Sequence, residues 1–183
     1  MLVEESLSIC IIGGGLGGIG AAVRLRQQLN ITNSTNIFDE NKDVGGTWLV
    51  NTYPGCACDL PSHIKYGIYN NTKFQHRVSP LKWDAIVRKW NVTVLNKKTG
   101  LESKLKFDIV ISAVGVLRMP NYPAQFEDFK GPKFHTAEWN SEVNQDDKIK
   151  AHNNLLFQTE CQIEWVLKLV EEMILRKAGM VML

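Results

Sequence analysis

Glycines at positions 13, 15 and 18 satisfy the G-x-G-x-x-G spacing directly after the apolar run Ile9-Cys10-Ile11-Ile12. Each glycine has a physical task in cradling a diphosphate. Gly13 permits the tight turn, Gly15 lets backbone approach the phosphates without a Cβ in the way, and Gly18 lets the following helix close on its strand. The helix that opens here would point unpaired N–H groups and a positive dipole end at the anion. A second apolar run, Thr35-Asn36-Ile37-Phe38, ends in Asp39-Glu40, about 20 residues past the last glycine, where this motif places a carboxylate for ribose hydroxyls. Asp39 directly follows the strand end and is the first candidate; Glu40 is the alternative, and a pair of solvated acids is the plain reading. Adjacent glycines at 45 and 46, followed by Thr47-Trp48, would let backbone amides come close to a flat or anionic ligand.

These residues need a strand, a turn, a helix and a second strand to hold them. The pattern predicts strand, turn and helix over about 8–29, the helix from about residue 17, and a return strand at 35–38, which is a βαβ opening. Residues 41–64 are rich in Gly, Pro, Asn and Asp without a helical or alternating apolar period, and read as a long loop. Short alternating segments at 74–78 and 90–95, with turn signals at Ser79-Pro80 and Thr99-Gly100, predict a small antiparallel excursion over about 72–99. Residues 107–114 form a nearly continuous apolar run ending at Gly115, the pattern of a parallel strand covered on both faces whose carboxyl end lies near the ligand crevice. Residues 140–160 are polar and read as a linker. Ile163, Val166, Leu167, Val170 and Ile174 recur at helical spacing, which predicts an amphipathic helix within 161–183 that docks on the domain.

The composition suits one such domain with appendages: 183 residues, 44% hydrophobic and 22% charged. A formal charge of +2 without a Lys/Arg cluster implies neither nucleic acid nor an anionic membrane surface as a partner. The four cysteines, at 10, 56, 58 and 161, do not form a paired C-x-x-C framework, so no metal site is expected. No stretch reaches the roughly 20 uncharged residues of a membrane span and the start of the chain has no signal-peptide pattern. A reducing, cytoplasmic setting is expected.

Taken with the string Tyr53-Pro54-Gly55-Cys56-Ala57-Cys58-Asp59-Leu60-Pro61-Ser62 and with Phe129, Gly131, His135 and Trp139 in an F-x-G-x-x-x-H-x-x-x-W arrangement, the sequence resembles the flavin-dependent monooxygenases, the Baeyer-Villiger group in particular. The resemblance covers roughly residues 8–140. It implies an α/β fold, a Rossmann-like FAD-binding domain over 1–139 interrupted by the antiparallel excursion, and FAD as cofactor. It also implies roles: Gly13, Gly15 and Gly18 at the pyrophosphate, Asp39 on the adenosine ribose, Thr47 and Trp48 beside the flavin, and the backbone of Val78 near the adenine. Asp59 matches an acid that lies close to the flavin in the family and takes the catalytic position, although a loop-capping role beside Pro61 reads equally well from the residues alone. In the intact family the activity is NADPH- and O2-dependent oxygenation of a small organic ketone or a soft heteroatom compound.

The departures are specific. Family members are longer, and the sequence lacks both the second G-x-G-x-x-G expected after the F-x-G fingerprint and the arginine that serves the reduced cofactor. The expectation is a shortened member without the NADPH-binding domain. A non-catalytic nucleotide-binding remnant or interaction module is the competing reading. An NAD-linked dehydrogenase is a third, disfavoured because the Gly45-Gly46-Thr47-Trp48 loop belongs to flavin architecture.

Overall fold

A computed structural model of the chain describes residues 7–31, 33–51, 67–115, 127–128, 130, 167–168 and 170–171. Its first strand, β1 (Ile9–Ile12), carries three fully buried side chains in succession, Ile9, Cys10 and Ile11, as a strand covered on both faces must. Helix α1 (Leu16–Leu29) follows, one residue earlier than the glycine spacing predicts. It stops at Asn30, which takes the left-handed conformation (φ 54°) and returns its N–H to Leu25 O, a conformation asparagine tolerates better than most residues. Strand β2 (Thr35–Asp39) then pairs parallel with β1, Ile11 opposite Ile37 and Ile12 opposite Phe38. The βαβ opening stands as expected.

A short helix α2 (Thr47–Val50) and a 3-10 helix (Ile68–Asn71) lie in and after the segment predicted to be loop. Strand β3 (Thr72–Phe74) pairs parallel with β2, and β7 (Ile109–Ser112) pairs parallel with the far side of β1. The resulting order is β3-β2-β1-β7. Between β3 and β7, the strands β4 (His76–Asp84), β5 (Lys89–Asn96) and β6 (Glu102–Phe107) form a separate antiparallel sheet.

The antiparallel excursion therefore begins later and ends later than the turn residues indicate. The segment 74–78 is two strands, broken by Gln75 at φ 57°, with the first half enlisted by the parallel sheet. Ser79-Pro80 does not end β4; the strand runs on through a register shift between Val78 and Leu81, a bulge that accommodates the residue lacking an N–H. The run 107–114 is likewise divided: Phe107 closes β6, Asp108 breaks the strand and β7 starts at Ile109.

Alternation of side chains sorts the parallel sheet into two faces. Ile9, Ile11, Ile37, Ile109 and Ile111 face Ile19 and Leu25 of α1, with Leu167 and Val170 buried in the same cluster. Residues 167–168 and 170–171 are helical, in keeping with a docked helix there; the rest of 161–183 lies outside the described residues. On the opposite face Cys10, Phe38 and Val110 meet Val92, Val94, Phe107 and Val78 of the antiparallel sheet. Helix, parallel sheet and antiparallel sheet are three layers, and the parallel sheet is the middle one. This is a Rossmann-like α/β domain with a small antiparallel sheet. No helix among the described residues is long and apolar enough to cross a membrane.

At the β6–β7 break the chain is pinned by Asp108. Its Oδ2 accepts from Ser8 N at 2.9 Å and Ser8 Oγ at 2.6 Å, and its Oδ1 lies 2.9 Å from Lys89 Nζ. Partial burial opposes ionisation, but the Ser8 hydroxyl, Lys89 and the Ser8 amide outweigh it and hold the carboxyl below its ordinary value.

Candidate functional site

All the sequence-derived site residues that the structure describes, except Val78, converge at the carboxyl end of the parallel sheet. Gly13 N–H donates to Phe38 O at 2.8 Å as the chain leaves β1, and Gly13 itself sits at φ +106°, a conformation closed to most side chains. A Cβ on Gly13 would collide with Ala113 O at the end of β7, and one on Gly18 would collide with Gly13 O. The turn is thus wrapped so closely by β7 and by its own helix that glycine is required at both positions. Ala113 N–H donates to Ile12 O at 2.8 Å, which confirms that the late apolar strand ends beside the glycine turn.

Among the described residues the N-terminus of α1 carries no side-chain cap: its capping position is Gly15 and its first turn contains no acid, which leaves its amides to an external anion.

The Gly45-Gly46 bend sits directly on this turn. Gly45 N–H donates to Gly14 O at 2.9 Å, and a Cβ on Gly46 would come within 2.8 Å of the Gly15 Cα. Two stretches 30 residues apart pack backbone against backbone because neither has a side chain there. Gly45 and Gly46 both have positive φ, 132° and 56°, and α2 opens at this bend with Thr47 and Trp48, Trp48 N–H donating to Gly45 O at 3.1 Å. The indole Nε1 of Trp48 is buried and has no hydrogen-bond partner among the described residues. Such a donor costs on the order of 1–3 kcal/mol when left unsatisfied, so a polar acceptor on a ligand would relieve it. A glycine cradle at a helix end without a side-chain cap and, two residues past the Gly45-Gly46 bend, an indole donor without a partner among the described residues fit an elongated ligand with a diphosphate and a polar ring system.

Asp39 ends β2, 5% exposed. Its Oδ2 accepts from Gly14 N at 2.5 Å and its Oδ1 from Asn41 N at 2.7 Å. The carboxylate therefore holds the glycine turn in place, and each oxygen keeps lone-pair capacity for a further donor. Glu40, the alternative acid, turns instead to the antiparallel sheet: Arg77 Nε donates to its Oε2 at 2.9 Å and Lys97 Nζ lies 4.0 Å from the same oxygen. The sequence placed Asp39 first by its position at the strand end, but it gave no sign of the partners that Glu40 takes on the antiparallel sheet. Val78 lies on β4, half-buried against the second core cluster and apart from the glycine turn. Because β4 is an edge strand among the described residues, alternate backbone groups point away from β5.

Asp59, with the 53–62 string, and the fingerprint residues Phe129, Gly131, His135 and Trp139 lie outside the described residues. A cavity of about 20 Å³, lined by Ala22, Val23, Arg26, Ile31, Thr35, Ile37, Ile68 and Asn71, lies between α1 and the 3-10 helix, away from the glycine turn. It has room for a water beside the buried Thr35 Oγ1, which has no hydrogen-bond partner among the described residues, and none for a nucleotide.

Residues 11–78 match the family model of the NAD(P)-binding Rossmann-like domain, a stretch that runs from β1 through the glycine turn, the acids and the double-glycine bend to Val78. A Baeyer-Villiger monooxygenase of Streptomyces coelicolor is 31% identical over 174 residues, an alignment covering 78% of this chain and 32% of that protein. Among solved structures, a polycyclic ketone monooxygenase from the thermophilic fungus Thermothelomyces thermophila superposes with a TM-score of 0.55 at 27% identity, covering 78% of this chain and 29% of the other. The OTEMO complex with FAD and NADP gives 0.53 at 25% identity, covering 78% and 32%. The chain spans about a third of the length of each of these proteins. Over that third the chain shares the Rossmann-like framework of these proteins, and it is similar to the Baeyer-Villiger flavin monooxygenases.

Proposed function

We propose that this chain binds FAD and forms the FAD-holding part of a Baeyer-Villiger type monooxygenase. The observation that carries the reading is the backbone contact between Gly46 and Gly15, which unites the phosphate turn and the Gly45-Gly46-Thr47-Trp48 bend in one cradle. In this reading Gly13, Gly15 and Gly18 shape the seat of the pyrophosphate, with the open end of α1 as its electrostatic partner. Asp39 uses its remaining lone pairs on the adenosine ribose while it fixes Gly14. Thr47 and the buried Trp48 Nε1 meet the flavin, and the outward backbone of β4 at Val78 meets the adenine. Asp59 stands near the flavin as the acid of the reaction centre. Bound FAD supplies the redox and oxygen chemistry; the residues of this chain bind it, orient it and shield it from water.

Oxygenation of a small ketone or soft heteroatom compound at the expense of NADPH and O2 belongs to the reading of the whole protein. The 183 residues carry one G-x-G-x-x-G, at Gly13, Gly15 and Gly18, and no second copy. That observation supports a second reading, in which the chain binds a nucleotide but does not turn over by itself.

Titration of the purified chain with FAD, followed by desalting, tests the first reading. Retained flavin absorbance is the expected result, and colourless protein after exposure to saturating FAD overturns it. NADPH consumption with and without a ketone then separates the two readings: ketone-dependent turnover by the chain alone removes the second.

A further inference from the structure

Three consecutive residues at the end of β2 address two different parts of the molecule. Asp39 accepts from Gly14 N in the glycine turn. Asn41 accepts from Gln75 N at 2.8 Å, and Gln75 in turn accepts from Lys97 N at 2.7 Å. Glu40, whose side chain is 9% exposed, pairs with Arg77 on β4, and Lys97 in the β5–β6 turn reaches both its carboxylate and its backbone oxygen, the latter at 3.5 Å. The parallel and antiparallel sheets are joined at this point by charge and by backbone hydrogen bonds; at the opposite end of β1 Lys89 of β5 pairs with Asp108, which holds Ser8, and between these two junctions the contact is a non-directional apolar interface of Phe38, Val92, Val94 and Phe107. An apolar interface tolerates sliding; an ion pair to a nearly buried carboxylate does not.

We propose that Glu40 is a positioning residue that sets the span of the dinucleotide site. Through Arg77 and Lys97 it fixes β4, and with it the backbone at Val78, at a set distance from the glycine turn that Asp39 holds one residue earlier. The inference rests on the FAD reading above, and it makes a ligand with an adenosine arm the one that senses Glu40. A ligand that ends at the first phosphate does not reach β4 and does not sense it.

The test measures dissociation constants of the 183-residue chain for FAD, ADP and FMN in wild type, Glu40→Gln and Arg77→Gln. Arg77 is an exposed surface side chain, so its removal does not endanger the fold even if Glu40→Gln proves unstable. Both variants are expected to weaken FAD and ADP on the order of tenfold, a coupling typical of groups in one charged network, and to leave FMN unchanged. The charge swap Glu40→Arg with Arg77→Glu is expected to recover part of the FAD-over-FMN preference that each single reversal loses. Unchanged FAD affinity in both single variants overturns the proposal, and so does an equal loss for FAD and FMN, which marks a purely structural role. Wild-type protein that binds none of the three ligands overturns the FAD reading itself, a result distinct from either of these.

Discussion

The parallel and the antiparallel sheet of this chain contrast in almost every physical respect. The parallel sheet is built from strands of three to five residues, its central strands are covered on both faces, and its first strand ends in a glycine turn on which the Gly45-Gly46 bend rests. The antiparallel sheet has strands of six to nine residues, one apolar face against Phe38 and Cys10, and an outer face with Lys82, Lys104 and Lys106. The lesson is a division of labour. Binding chemistry gathers where short strands hand over to side-chain-free backbone, and the longer ladder provides a cover and, through Glu40, a ruler.

Glycine substitution is the most forceful way to break that contrast. Gly18→Ala puts a Cβ against Gly13 O, backbone that cannot yield, and is expected to cost about 3 kcal/mol or more in urea unfolding and to abolish FAD retention. Gly100→Ala, in the turn between β5 and β6, meets nothing within 4 Å and pays only for its φ of +72°, about 1 kcal/mol. Equal costs in the two turns would remove the distinction between the sheets.

Asp108, where β6 hands over to β7, gives a smaller effect. Its folded-state carboxyl is held below the ordinary value by Ser8 and Lys89, so its stabilising contribution is complete above the unfolded carboxylate pKa of about 3.9 and disappears as pH falls through the lower folded value. Asp108→Asn is expected to lose about 1–2 kcal/mol at pH 7. In unfolding curves at successively lower pH the deficit should narrow below about pH 4; a deficit constant over that range would show that geometry, not charge, is what Asp108 provides.

Cys10 marks the small end of the scale. Burial in β1 pushes its thiol up to about 12, so at pH 8 it is expected to resist alkylation in the native protein and to react only on unfolding, read peptide by peptide in a mass spectrometer. Native-state labelling of Cys10 would show that the middle layer opens far more readily than its packing implies.

Legibility in the sequence followed the same contrast. The β1–α1–β2 unit could be read almost to the residue because local signals agree there: an apolar run, glycines at fixed spacing, a helix and a second apolar run. The antiparallel region was harder. Strand β6 has only Leu105 and Phe107 facing inward among Glu102, Ser103, Lys104 and Lys106, too little apolar signal to declare a strand. Pro80 marks a turn in most contexts, yet here an edge strand accommodates it with a bulge. Helix α2 and the burial of its Trp48 Nε1 escaped because four residues show no period.

By itself the sequence determined the phosphate turn and its Rossmann-like setting, because the positive φ of Gly13, the contact of Gly18 with Gly13 O and the burial of the first strands are local matters of sterics and hydrophobicity. Only the tertiary structure decided that Gly46 rests on Gly15, that Thr72–Phe74 joins the parallel sheet, and that Asp39 turns to the glycine turn while Glu40 turns to Arg77. Each of those choices pairs groups distant along the chain, and side-chain type does not tell two adjacent carboxylates apart until the folded backbone has placed a different donor before each.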